Sequence, residues 1–216
     1  GVGKNIWGER DKFSLDGALQ FIDYHFNGTY YDRADPEQPL LLKVSLSLPH
    51  YPYLAAEDKF KYYLNRVPIY KDDAAGHSVL DRNKLEFGVD ASEREIRRAT
   101  AAYYAMTEMA DDYFGKVVSA LEQVGQDLDD WIIIFCADHG DMMGEHGVWM
   151  KQKFYDGSVK IPLFIRWPKE YSGKIENKNV SLCDLFATIC ELCDLSIPDG
   201  LDSRSLVPFL KGEDVD

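Results

Sequence analysis

Residues 131–151, WIIIFCADHGDMMGEHGVWMK, set an apolar run directly before a dense group of ionisable side chains. The run WIIIFCA (131–137) reads as a strand buried on both faces, the pattern of a parallel sheet. In open α/β sheets, ligands bind beyond the carboxyl ends of the strands. Asp138 and His139 stand at that end. Neighbours on a regular strand point to opposite faces, so this pair can share a ligand only where the strand stops and the chain bends. Gly140 supplies the freedom to bend. A carboxylate and an imidazole aimed at one point make half of a divalent-cation site. The same two residues also suit a hydrogen-bonded turn with no ligand. Lys151 has two readings as well: an ammonium reaching an anion at the metal, or a surface lysine with its stem laid along the protein.

Working outward, LLLKVSLSL (40–48) reads as another strand, ended by Pro49-His50-Tyr51-Pro52. If it lies parallel to 131–137, His50 reaches the same sheet edge as Asp138 and His139. A further strand is expected at IPLFIRWP (161–168). Helical spacing covers 14–26, with Ser14 as N-cap, and a short helix is expected at 56–63. A long helix opens on the capping box Ser92-Glu-Arg-Glu95. It carries the stripe Ile96, Ala99, Tyr103, Met106, Ala110, Tyr113, Val117 and Leu121 and stops at Gly125. A last helix spans 181–194. Residues 27–39 and the polar stretch up to 90 read as loops. The fold class is α/β, a mainly parallel sheet flanked by helices.

Of 216 residues, 45% are hydrophobic, enough for a real core, and the net charge is -13. That charge disfavours nucleic acid, whose phosphates need clustered Lys and Arg, and anionic membrane surfaces. It leaves room for a small anionic substrate in a locally positive pocket. No apolar stretch is long enough to span a membrane. The 4 cysteines are too few for a disulfide scaffold; Cys190 and Cys193 form a C-x-x-C whose apolar, helical setting favours core or half-buried thiols over a metal or redox role. Unpaired thiols lean the compartment toward a reducing, cytoplasmic one, which otherwise stays open. Sequons stand at Asn27 and Asn179.

Taken whole, ADHGDMMGEHGVWMKQKFYDGSVKIPLFIRWP (137–168) resembles the sulfatase family of the alkaline-phosphatase-like superfamily, most of all the branch of choline sulfatases and iduronate-2-sulfatase. The matching features are D-H-G, then G-x-x-G, then a lysine, then Y-D-x-x-x-x-x-P. LPHYPY, the helix RRATAAYYAMTEMADDYFGKVVSAL and the helix VSLCDLFATICELCDL also resemble family segments. The resemblance implies a partial alkaline-phosphatase-like fold. It implies Asp138 and His139 as ligands of a divalent cation, calcium first and magnesium or manganese as alternatives. His50 and Lys151 would contact the sulfate. His146 either lines the pocket or fixes the loop. The implied substrate is a small sulfate ester: a sulfated sugar, choline sulfate or an aryl sulfate. Tyr51, Tyr53 and Trp149 would either pack on that substrate or form the pocket wall.

The family's nucleophile is a formylglycine made in C-x-P-S-R or a close variant. None of Cys136, Cys183, Cys190 and Cys193 stands in such a motif, and no serine does. The family's N-terminal strand with paired metal-binding aspartates is also missing. The expectation is that residues 1–216 form the C-terminal portion of a single catalytic domain, inactive without the N-terminal portion. Two alternatives remain: a phosphonate monoesterase or phosphodiesterase of the same superfamily, and a non-catalytic homologue acting as a binding protein.

Overall fold

The structure is a computed structural model, and it describes residues 1–28, 39–70 and 91–213. The chain divides into two compact units, Gly1–Leu128 with His139–Ile161, and Asp129–Asp138 with Pro162–Asp216.

The first unit is built on α1 (Ile6–Asn27), α2 (Glu57–Tyr63) and α3 (Glu93–Gln123), with a one-turn α4 (Asp156–Val159). Helix α1 buries Gly8, Asp11, Leu15, Ala18 and Ile22. Their spacing of three and four makes one stripe, and that stripe packs on α3. Helix α3 starts at the expected capping box: the Ser92 hydroxyl accepts from the Glu95 amide, and the Glu95 carboxylate accepts from the Ser92 amide at 2.8 Å. Its buried positions are Thr100, Ala101, Ala102, Ala105, Met106 and Leu121. The small residues allow close approach. Leu48 and Ala55 pack on Ala105 and Met106, and Phe60 of α2 packs with Val67 on Ala101 and Ala102. Gly125 lies just past the helix in the left-handed region, φ 83°, as a terminator should.

In the second unit, β1 (Ile133–Cys136) pairs with β2 (Leu163–Arg166). Phe135 stacks on Phe164, with ring centroids 5.2 Å apart. Helices α5 (Asp184–Leu192) and α6 (Val207–Lys211) are joined by buried polar groups. The Asp184 carboxylate accepts from the amides of Ser181 and Arg204, and the Thr188 hydroxyl accepts from the Leu206 amide at 2.8 Å.

Four expectations are corrected. The first helix begins at Ile6, capped by Asn5, whose side chain accepts from the Trp7 amide at 2.8 Å, so Ser14 lies inside it. Residues 40–48 form no strand among the described residues. Their exposure alternates as a strand's would, but no neighbour supplies the ladder. Strands β1 and β2 run antiparallel, so the described sheet is not the parallel one expected. A short apolar run carries no information about strand direction. Nor is β1 buried on both faces: Ile133, Ile134 and Phe135 are half-buried and Cys136 is exposed. Of the C-x-x-C pair, Cys190 is buried, whereas Cys193 closes the helix and is exposed. The loops expected at 29–38 and 71–90 lie outside the described residues.

The segment 47–52 is fixed to α1 by polar side chains. The buried Asp11 carboxylate accepts from the amides of Ser47 at 2.8 Å and Leu48 at 2.7 Å. The buried Asn5 amide donates to the carbonyls of Pro52 and His50. The Trp7 indole donates to the Tyr51 carbonyl at 2.7 Å. Replacing Asp11 by Ala strands two backbone donors in the interior. The expected loss is about 2–6 kcal/mol, at about 1–3 for each unsatisfied buried group. Urea unfolding of Asp11→Ala against the wild type checks it.

Candidate active site

His50 sits in the segment that α1 holds, between two prolines whose preceding peptide bonds, Leu48-Pro49 and Tyr51-Pro52, are cis. Its Nδ1 lies 2.6 Å from the Tyr51 carbonyl oxygen. A carbonyl only accepts, so Nδ1 carries the proton, and in the neutral ring Nε2 keeps its lone pair. His139 has the same arrangement, with Nδ1 2.8 Å from the Gly140 carbonyl oxygen. Imidazoles that ligate metals are commonly oriented by this backbone bond. Asp138, the residue before it, is exposed and closes the β1 segment of the second unit.

Gly140 is where the chain must pass close to itself. Its amide donates to the Ser158 carbonyl at 2.8 Å. A Cβ at this position would lie 2.1 Å from the Gly157 carbonyl oxygen. The glycine of the Asp-His-Gly triplet is therefore required by contact, and not by the left-handed backbone freedom expected of it, since its φ lies outside that region.

The loop that follows is compact and mostly buried. Met142, Met143, Val148 and Trp149 are buried. The Met142 amide donates to the Met150 carbonyl at 2.8 Å, and the Gly144 amide to the Val148 carbonyl at 2.9 Å. Four residues that are not glycine take the left-handed conformation: Met143, His146, Met150 and Gln152, with φ of 50°, 54°, 64° and 71°. Such conformations persist only where the surroundings impose them, and they cluster at functional sites. The half-buried His146 ring faces Tyr155 at 4.9 Å, a contact that favours its bracing the loop. Lys151 is half-buried, and its ammonium has no hydrogen bond or ion pair among the described residues.

Sequence reasoning passed over Asp141. Its Oδ1 accepts from the amides of Met143 at 3.1 Å and Met150 at 3.2 Å, and its Oδ2 accepts from the Tyr53 hydroxyl at 2.6 Å. The only signal in the sequence is an acidic residue directly after the Asp-His-Gly turn. Tyr53 also faces Trp149 at 6.2 Å and Tyr103 at 6.1 Å. Tyr53 and Trp149 thus face one another, while Tyr51 stays exposed. Burial, and then the Asp141 charge, push the Tyr53 hydroxyl above the ordinary tyrosine range. The same two causes raise Tyr103 to about 12.

The His50 segment and the Lys151 loop therefore meet through Tyr53. Asp138 and His139 offer a carboxylate and an imidazole, chemically apt donors for a divalent cation. Among the described residues, no group of three His, Cys, Asp or Glu side chains gathers to hold one. Two donors fall short of the six to eight oxygens that calcium takes.

The sulfatase family model matches residues 3–195. A choline-sulfatase of Rhizobium meliloti is 30% identical over 190 residues, covering 82% of this chain and 36% of that protein. An arylsulfatase of Clostridium perfringens is 32% identical over 195 residues, covering 83% of this chain and 39% of that protein. Among solved structures, the phosphonate monoester hydrolase of Agrobacterium radiobacter superposes with a TM-score of 0.76 and 28% identity, over 94% of this chain and 43% of that one. The chain thus spans roughly two fifths of the relatives it matches.

Two outcomes follow from the geometry. Gly140→Ala should lose about 1–3 kcal/mol or more, the cost of overpacking against backbone. Gly17→Ala, in the open interior of α1, should gain about 0.5–1 kcal/mol. Urea unfolding of both variants distinguishes a site-specific requirement from a general cost of replacing glycine. The second concerns pH. Tyr103 is held neutral to about 12 in the fold, against about 10 in an unfolded chain. Its contribution is complete below pH 10 and is lost as pH rises toward 12, because the unfolded chain ionises first. Unfolding followed between those pH values should show stability falling, with a shallower fall in Tyr103→Phe.

Proposed function

The chain belongs to the sulfatase family, and from that premise we propose that it forms part of an enzyme hydrolysing a small sulfate ester. The carrying observation is Lys151, a half-buried ammonium with no protein partner among the described residues, at the end of a strained and tightly bonded loop. A cation drawn partly out of water gains from a counter-charge, and an anionic substrate group would supply one. Lys151 and His50 contact the sulfate in this reading, and Asp138 and His139 serve as ligands of a divalent cation, calcium before magnesium or manganese. The cation, when bound, would neutralise charge on the sulfate oxygens.

The chain's own residues do the positioning. α1 holds the His50 segment, and Nδ1 protonation leaves His50 Nε2 free of a proton in the neutral ring. Lys151 offsets negative charge as the ester bond breaks; a donor of this kind is typically worth about a hundred- to a thousandfold in rate. The nucleophile, a formylglycine in the family pattern, lies outside these 216 residues, since no cysteine here stands in C-x-P-S-R. Choline sulfate and aryl sulfates head the substrate candidates, after the names of the relatives. Phosphonate monoester hydrolysis is the second reading, favoured by the solved neighbour of that activity.

The test uses the protein that contains this segment with a complete catalytic domain. Turnover of 4-nitrophenyl sulfate and of a phenyl phosphonate ester is compared before and after chelation, with calcium, magnesium or manganese restored. The expected result is faster turnover of the sulfate, loss on chelation, return with calcium, and a fall in kcat/KM of about a hundred- to a thousandfold for Lys151→Ala. A faster phosphonate reaction would move the assignment to the second reading. An absence of turnover of either ester would point to a binding protein.

A further inference from the structure

We propose that Asp141 is a positioning residue that fixes Lys151 relative to the His50 segment. The proposal rests on the reading of Lys151 and His50 as the sulfate-contacting pair. Met143 and Met150 are two of the four non-glycine residues held in the left-handed region, and both donate their amides to the same oxygen, Oδ1 of Asp141. A left-handed conformation is unfavourable for a residue with a Cβ, and a hydrogen bond to a charged acceptor is strong enough to offset that cost at these two points.

Lys151 is the next residue after Met150. Its ammonium has no hydrogen bond or ion pair among the described residues, so the backbone and the packing around it set where it can reach. That backbone is held on both sides of Met150: the amide by Asp141, and the carbonyl by the Met142 amide at 2.8 Å. The other oxygen of Asp141 takes the Tyr53 hydroxyl, three residues past His50. A continuous series of hydrogen bonds therefore runs from α1 through the 47–53 segment to Tyr53, Asp141 and Met150. Within it, the Tyr53–Asp141 bond joins the strip bearing His50 to the strip bearing Lys151.

Tyr53→Phe removes that bond and nothing else of size. Asp141→Asn keeps one oxygen for the two amides and removes the charge. Lys151 acetylation by an N-hydroxysuccinimide ester, read by mass spectrometry against the exposed Lys61, reports the placement of the ammonium without any need for turnover. The expected result is a severalfold change in acetylation at Lys151 alone in both variants. For Tyr53→Phe the thermal midpoint falls by a few degrees, as the loss of one part-buried hydrogen bond to a carboxylate requires, while acetylation of Lys61 is unchanged. Where the protein turns over a sulfate ester, kcat falls about tenfold or more while KM changes little, as a small misplacement of a catalytic group does. Tyr53→Phe made on a Lys151→Ala background then costs no further activity. Unchanged Lys151 acetylation in both variants overturns the proposal. A wild-type protein without sulfatase turnover would defeat the functional reading, and the acetylation comparison would still decide the role of Asp141.

Discussion

The close passage of Gly140 against Gly157 is the constraint from which the candidate site is built. With the Gly140 amide on the Ser158 carbonyl at 2.8 Å, there is no space for a side chain between the two backbones. Gly157 is crowded in its turn: a Cβ there would meet Glu145 Oε2 at 2.8 Å and Met142 Sδ at 3.3 Å. The start of the loop is therefore stacked backbone on backbone against α4, and side chains from its middle close over Gly157. The loop between them has to turn tightly, and its four left-handed residues follow from that. Their strain amounts to about 4–8 kcal/mol at about 1–2 each. Burial of Met142, Met143, Val148 and Trp149 offsets it by about 1.5–3 kcal/mol per side chain. The two are comparable, so the polar bonds from Asp141 are large enough to decide the outcome.

The other half of the first unit's site uses a different device. The 47–52 segment has no regular structure to satisfy its backbone, so α1 does it with side chains. Asp11 takes two amides, Asn5 reaches two carbonyls, and Trp7 takes a third carbonyl. Buried polar groups are tolerated only when paired, and this pairing specifies one path for the segment. Helix position thereby becomes His50 position. The early start of α1 at Ile6 has a purpose in this light: a helix beginning at Ser14 would contain none of Asn5, Trp7 and Asp11.

How far the sequence disclosed this depends on whether the governing signal was local. The capping box at Ser92 and Glu95, the stop at Gly125 and the short α2 are local chemistry, and they were legible. The family was legible too, because the order Asp138, His139, Gly140 and Lys151 is itself the signal. Strand pairing is not local. LLLKVSLSL has the alternation of a strand and alternates in exposure, yet it joins no ladder among the described residues. The direction of β2 against β1 was equally invisible in two apolar runs. Asp141 was missed for another reason. An acidic residue in a Gly-rich loop reads as solvated, and its three donors come from two backbone amides and a tyrosine 88 positions away.

A chain of net charge -13 would seem a poor host for an anion. Range resolves the conflict. At physiological ionic strength exposed charges are screened beyond about 8 Å, so the distant carboxylates weigh little on a local site. The pairing of the surface supports this. Lys59 is held by Glu108 and Asp112, Lys12 by Asp16, Lys61 by Glu57, Lys160 by Asp156, and Arg97 by Glu93. The 37 acidic residues outnumber the 24 basic ones, so surface cations find carboxylates readily. Lys151 sits in a loop that contains Asp141 and Glu145, and neither pairs with it: Asp141 is already engaged with three donors. Asp156, the carboxylate nearest in sequence, is paired with Lys160, and Asp141 is committed to the backbone and Tyr53, so among the described residues the Lys151 ammonium has no counter-charge. In the proposed reading, that leaves the ammonium available to an anion, and the hydrogen bonding of Asp141 contributes to it.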